Sequence, residues 1–133
     1  MPVHYDYDEK ENFVYTKASG VLTDDDLKVF AESLASDPRV KPGLRELVDC
    51  RAVDSMKGSM DIFGYIIHLN IENREKYAGK KIAIVASREL LFGLSKYFEV
   101  ISHIDNAPFR VEVFRTMSEA KEWLGLKEYD AIS

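Results

Sequence analysis

The chain has 133 residues, 46% of them hydrophobic and 31% charged, with only 7 glycines and 4 prolines. These values exclude disordered, collagen-like and low-complexity chains, and the length suits one domain with its own core. The formal net charge is −5, from 18 basic and 23 acidic residues, which argues against nucleic acid as the main partner, because phosphate contacts need a basic stripe. The longest apolar runs are a few residues, as at Ile82 to Ala86, so no segment is expected to span a bilayer. Met1 to Lys10 has no positive region followed by an apolar one, and no signal peptide is expected. A single cysteine, Cys50, excludes an internal disulfide and a Cys-rich zinc site. A cytoplasmic setting is the simplest expectation.

Val3 to Asp8 alternates weakly, Glu9 to Asn12 is a polar turn, and Phe13 to Leu22 sets Phe13, Tyr15 and Val21 among polar neighbours. This pattern predicts a β-hairpin. Thr23-Asp24-Asp25-Asp26 predicts a helix start. Thr23 can cap free backbone N–H groups, Asp26 stands three residues on as in a capping box, and three carboxylates suit the helix dipole. Leu27, Phe30, Ala31, Leu34 and Ala35 then share one helical face, which Asp37-Pro38 ends. Leu44 to Cys50 is the next expected strand, and Arg51 to Gly58 reads as a connecting segment. A long helix is expected over Ser59 to Arg74, then a turn through Gly79. Ile82 to Ala86 is apolar throughout, as a strand covered on both faces would be. Ser87 is the expected cap of a helix over Arg88 to His103. Phe109 to Phe114 alternates as a last strand, Ser118 is the expected cap of a short helix over Glu119 to Leu124, and Gly125 stops it. The order β-β-α-β-α-β-α-β-α predicts an α/β fold. It has a mostly parallel five-stranded sheet, an N-terminal β-hairpin, about four helices and right-handed crossovers. A single domain is expected over residues 1–126, with a C-terminal tail over Lys127 to Ser133.

The expected helix Ser59 to Arg74 carries the most information. At helical spacing Met60, Ile62, Phe63, Tyr65, Ile66, Ile67, Leu69 and Ile71 cover most of its circumference. Only a narrow strip with Asp61, Gly64, His68 and Glu72 is polar. A surface helix needs one apolar stripe, so this one is buried on several sides, lines a cavity or meets a partner. Asn70 falls inside the apolar arc, and a buried amide needs partners or serves as a polar anchor in an apolar pocket. Candidate pocket residues are Phe63, Ile66, Ile67, Asn70 and Leu91. In the helix Arg88 to His103, the residues Leu90, Leu91, Leu94, Tyr97, Phe98 and Ile101 form the expected core face. Phe92 points the other way and is a candidate interface residue, so that Phe92→Ser would weaken a partner or membrane contact without loss of stability.

The remaining chemistry is sparse. His4, His68 and His103 have no metal-site spacing, and no metal or other cofactor is expected. His68 with Asp61 and Glu72 reads as a solvated ion pair. Asp49, Cys50 and Arg51 sit at the expected end of a strand, where open sheets bind ligands. Ser87 and Arg88 follow the next strand and head a helix that could hold an anion. Cys50 has no acid–base partner nearby in sequence and reads as a buried thiol. No catalytic residue set is found; Asp49, Arg51 and His68 would serve an enzyme only if the fold gathered them.

The strand Glu46-Leu47-Val48-Asp49, the segment Gly20-Val21-Leu22-Thr23 and the terminal Ser118-Glu119-Ala120-Lys121-Glu122-Trp123-Leu124 resemble the STAS-type domain. The chain is most similar to the small stand-alone SpoIIAA-like proteins of bacteria, over about Val3 to Leu126. Anti-sigma-factor antagonists of this fold carry Asp-Ser-Ser/Thr-Gly at a helix start, where a partner kinase phosphorylates the second hydroxyl. The matching stretch here is Asp54-Ser55-Met56-Lys57-Gly58-Ser59, with Met56 at the second hydroxyl position. The resemblance makes Ser55 and Ser59, with Ser87 and Arg88, candidates for an anion or phosphate site. It implies a non-enzymatic regulatory or protein-interaction module with an unknown protein partner. The group also resembles lipid-binding Sec14-type domains in fold, which implies the alternative. That alternative is a carrier or sensor of a small hydrophobic ligand or lipid, with at most peripheral membrane contact. A homodimer is compatible with either.

Overall fold

The strands of the sheet lie side by side in the order in which the chain makes them. A computed structural model describes residues 2–59 and 61–126. Met60 and the expected tail, 127–133, lie outside the described residues. The elements are β1 (Val3–Asp8), β2 (Phe13–Thr23), α1 (Asp24–Ala35), β3 (Arg45–Lys57), α2 (Asp61–Glu72), β4 (Lys80–Val85), α3 (Glu89–Ile104), β5 (Phe109–Phe114) and α4 (Met117–Leu124). The sheet order is β1-β2-β3-β4-β5. It is mixed: β1 runs antiparallel to β2, and β2, β3, β4 and β5 pair in parallel. Sequential parallel strands with right-handed crossovers put every crossover helix on the same face. Thus α1, α2 and α3 share one face, while α4 packs Met117, Ala120 and Leu124 on Leu47, Ala83 and Val85 across the other.

Local chemistry explains most boundaries. The turn between β1 and β2 ends at Asn12, whose φ of 49° suits asparagine better than a bulkier residue. Its amide donates to the carbonyls of Lys41 and Pro42 at 3.0 and 3.1 Å and so ties the hairpin to the loop after α1. The capping box at the start of α1 is present. The Thr23 hydroxyl accepts from the Asp26 N–H at 3.2 Å, and the Asp26 carboxylate accepts from the Thr23 N–H at 2.9 Å.

Four expectations need correction. β3 does not end at Cys50 but runs on to Lys57, because β2 is long enough to keep pairing it through Val21–Ser55, Leu22–Met56 and Thr23–Lys57. Two register shifts along this ladder break the period of two. Cys50, Val53 and Met56 therefore join the same core at a spacing of three, which reads in sequence like a connecting segment. α2 begins at Asp61 and ends at Glu72, shorter at both ends than expected. Arg88, not Ser87, is the N-cap of α3, and its side chain makes no cap bond. Thr116, not Ser118, caps α4, accepting from the Glu119 N–H at 3.3 Å, and Gly125 closes that helix in the left-handed region at φ 75°.

The loop after α1 is pinned by Asp37. Its buried carboxylate accepts from the Tyr5 hydroxyl at 2.9 Å and from the Arg39 guanidinium at 2.9 and 2.7 Å. The Arg39 guanidinium holds the Asp37 carboxyl well below the usual carboxylate range. A carboxyl depressed in the folded state stabilises above its unfolded value, about pH 4, and loses that contribution as pH falls further. Arg39 is half in solvent, so the contribution is modest. Asp37→Asn should lower stability by about 1 kcal/mol at pH 7 and flatten the acid limb of the stability curve below about pH 4. Urea unfolding at pH 7, 5 and 3 checks both.

Candidate functional site

The nearly all-round apolar helix α2 is covered from several sides. Ile62, Phe63 and Ile67 are buried in a core with Ile82, Ile84, Phe98 and Phe109. Tyr65, Ile66 and Ile71 pack partly against the same core. The exposed remainder is the polar strip, where the His68 Nε2 lies 2.7 Å from the Glu72 carboxylate. The three crossover helices do not fill the space they share with the sheet. A cavity of about 130 Å³ remains between them. Val48, Cys50, Ile82 and Ile84 form its sheet wall, and Leu27, Phe30, Ala31 and Leu34 its α1 wall. Phe63, Ile66 and Asn70 of α2 and Leu91, Leu94 and Phe98 of α3 close the other sides. Protein interiors seldom leave voids much larger than a water molecule, so one of this size is a distinct feature.

One end of this cavity is polar, through Glu46, Lys80, Tyr77 and Asn70. Lys80 is 3% exposed. Its ammonium donates to the Asn70 side-chain carbonyl at 3.0 Å, lies 3.4 Å from the Glu46 carboxylate, and sits 3.9 Å over the Tyr77 ring centre. The Asn70 amide donates in turn to the Ile66 carbonyl at 2.8 Å, one helical turn back. Burial pushes the Lys80 ammonium down from its ordinary value, and Glu46 opposes that shift. The Thr16 hydroxyl approaches the other Glu46 oxygen at 3.5 Å. Neither Glu46 nor Lys80 stands out in the sequence. The available signal is strand parity: Glu46 shares its face with Val48 and Cys50, and Lys80 shares its face with Ile82 and Ile84.

Phe63, Ile66, Asn70 and Leu91 line the cavity. Ile67 does not; it is buried in the neighbouring core. α3 is rotated relative to the expected face. Leu91, Leu94 and Phe98 face the cavity, while Leu90 and Tyr97 are 63% and 43% exposed and correct the expected core assignment. Phe92 does not point away into solvent. It packs partly against two cores, and the Arg115 guanidinium lies 4.0 Å over its ring.

The anion candidates are not gathered. Ser55 is a half-buried residue inside β3, opposite Val21. The Ser59 N–H and hydroxyl lie 3.1 and 3.4 Å from one Asp24 carboxylate oxygen. That carboxylate occupies the place where a phosphate on Ser59 would need positive charge. Ser87 is exposed, and Arg88 reaches Asp54 at 3.6 Å with both side chains largely in solvent. Asp49 pairs with Arg51 at 2.9 Å and accepts from the Tyr15 hydroxyl at 2.9 Å. It shares the α4 face of β3 with Leu47, while His68 is exposed on α2 across the sheet. These three residues are therefore not assembled into one site. Burial pushes the Cys50 thiol up to about 12, which keeps it protonated. Among the described residues no group of three or more His, Cys, Asp or Glu is placed to hold a metal ion. Among them no helix is long and apolar enough to cross a membrane.

A hairpin leading into a sequentially ordered sheet, with three helices on one face and one on the other, is a SpoIIAA-like fold. No family model matches the chain, and no curated protein does. Among solved structures it is similar to an uncharacterized protein from the DUF3478 family, with a SpoIIAA-like fold, from Shewanella loihica PV-4. The two share 18% sequence identity over 92% of this chain and 91% of that one, with a TM-score of 0.58. That likeness defines the fold.

Two outcomes follow from this geometry. Phe92→Ser should cost about 1–3 kcal/mol in chemical denaturation, because the ring fills half-buried space under Arg115. Glu46→Leu should cost about 3–5 kcal/mol, because it leaves a buried ammonium without its carboxylate. The double variant Glu46→Leu with Lys80→Met should regain most of that loss, as measured by urea midpoints at constant slope.

Proposed function

We propose that this chain is a non-enzymatic regulatory module whose input is a small, mainly apolar molecule held in the cavity. The observation that carries this reading is the cavity itself: about 130 Å³, walled by apolar side chains of the sheet and of three helices. An apolar cavity of about 150 Å³ accepts a benzene-sized molecule, whereas sites for drug-sized ligands run to about 300–1,000 Å³. The size therefore favours a small ligand over a whole lipid. It also favours a sensor over a bulk carrier.

α3 is the element best placed to report occupancy. Leu91, Leu94 and Phe98 face the cavity, while Leu90, Val100 and Ile104 stand 63%, 51% and 68% exposed on its outside. A ligand that shifts the inner residues would move an apolar outer surface available to a partner protein. A phosphorylation switch has less support. Ser59 is held by a carboxylate, and Ser55 lies within a strand and not at a helix N-terminus.

Native mass spectrometry of protein purified without denaturation tests the reading. A mass excess that disappears on denaturation is expected, and a bound ligand should raise thermal stability by mass action, by about 2.7 kcal/mol at a hundredfold excess over Kd. Ala31→Leu, which fills the cavity from α1, should abolish the excess while stabilising the empty protein by about 0.5–2 kcal/mol. An apo mass in every preparation, with no small apolar compound raising the melting temperature, would overturn it.

A further inference from the structure

The polar end of the cavity has hydrogen-bonding capacity left over, and it is of two kinds. Tyr77 is 1% exposed and lines the cavity, yet its hydroxyl makes no hydrogen bond among the described residues. A hydroxyl that lines a cavity can donate to what the cavity holds. The Glu46 carboxylate lines the same end and is the charge that acts most strongly on the Tyr77 hydroxyl. Among the described residues its two oxygens are held by long contacts, 3.4 Å from Lys80 and 3.5 Å from Thr16, beyond the usual range of roughly 2.7–3.2 Å. A hydroxyl donor therefore lines the same end of the cavity as an acceptor with room to spare. The Lys80 ammonium, by contrast, is occupied by Asn70, Glu46 and the Tyr77 ring.

Charge limits the ligand further. Glu46 and Lys80 already neutralise each other inside a buried region. A carboxylate or ammonium brought in by a ligand would be an uncompensated buried charge, which is strongly disfavoured. A neutral hydroxyl adds no charge and is both donor and acceptor. We propose that the cavity selects a small neutral molecule bearing one hydroxyl, a phenol or short cyclic alcohol, which accepts from Tyr77 and donates to Glu46. The rest of the molecule lies among Phe30, Ile66, Ile84 and Leu91. This deepens the reading of the cavity as a ligand site and rests on it.

Calorimetric titration of the full chain with toluene, phenol and benzoate at pH 7 separates the two. Toluene probes the cavity alone, phenol has the same size and adds the hydroxyl, and benzoate adds a charge. Toluene and phenol should bind and benzoate should not. Tyr77→Phe should weaken phenol about three- to tenfold, the worth of one hydrogen bond, and leave toluene unchanged. The same variant should melt at or above the wild-type temperature without ligand, because it removes an unpaired hydroxyl. Toluene binding with no phenol binding, phenol binding indifferent to Tyr77→Phe, or benzoate binding more tightly than phenol would each overturn the hydroxyl proposal while leaving the ligand cavity standing. Failure of all three probes to bind would overturn the ligand cavity itself.

Discussion

Lys80 opens β4 with its ammonium enclosed by Glu46 of β3, Asn70 of α2 and the Tyr77 ring. Taking that charge out of water is expensive, and the neighbourhood is organised around offsetting the cost. Glu46 supplies the countercharge across the β3–β4 ladder, one strand away. Asn70 supplies a neutral acceptor, and it is itself fixed by donating to the carbonyl a turn earlier in α2. The pair thus sets where α2 sits over the sheet. It also keeps a polar, solvated-like spot at the end of a space that is otherwise all hydrocarbon. Side chains that would fill the void completely would have to meet this ion pair, and a hydrocarbon contact gives a charge nothing in return.

Topology explains why the void lies where it does. A sheet laid down in sequence order with one crossover hand sends α1, α2 and α3 to the same face. Three helices above one twisted sheet must diverge, and the gap between their inner faces falls over the central strands β3 and β4. Among the described residues the opposite face carries α4, eight residues long. Tyr15, Asp49 and Arg51 satisfy one another on that side. The two faces therefore differ in kind: one is a closed ionic and aromatic surface, the other an apolar layer with room inside.

The order of elements, the capping box of α1, the limits of β5 and the unusual breadth of the apolar arc of α2 could be read from the sequence because each depends on neighbours a few residues apart. What could not be read depends on distant strands. The second half of β3 contains Arg51, Asp54 and Lys57, and its inward residues fall three apart because of the register shifts against β2. Read locally, it is a loop; the ladder of β2 makes it a strand. The same extension moves Ser55 from an expected helix start into the end of β3, where it pairs with β2. α3 misled in a different way. Leu90, Leu91, Phe92 and Leu94 offer almost equal apolar choices within one turn, and only the sheet decides that Leu91 and Leu94 go in while Leu90 stays out. Glu46 and Lys80 were invisible as a pair because they meet only when β3 and β4 do.

The contrast between the two candidate inputs follows from these placements. At the junction of β3 and α2, Gly58 has φ 152° and lies so close to Asp24 that any side chain there would run into the carboxylate. Asp24 opens α1 and, through one oxygen, also holds the Ser59 N–H that precedes α2. One carboxylate therefore serves the starts of two helices, supplying the negative charge their dipoles favour. A second negative group at Ser59 would face repulsion from Asp24, with Asp25, Asp26 and Asp61 close by in sequence. The helix start that would take a covalent phosphate is already neutralised from within. The cavity has the opposite character, with a carboxylate held by long contacts and unfilled apolar volume. A second anion meets like charge in the first place and an apolar group meets open volume in the second, so the room for the proposed input lies beneath α3.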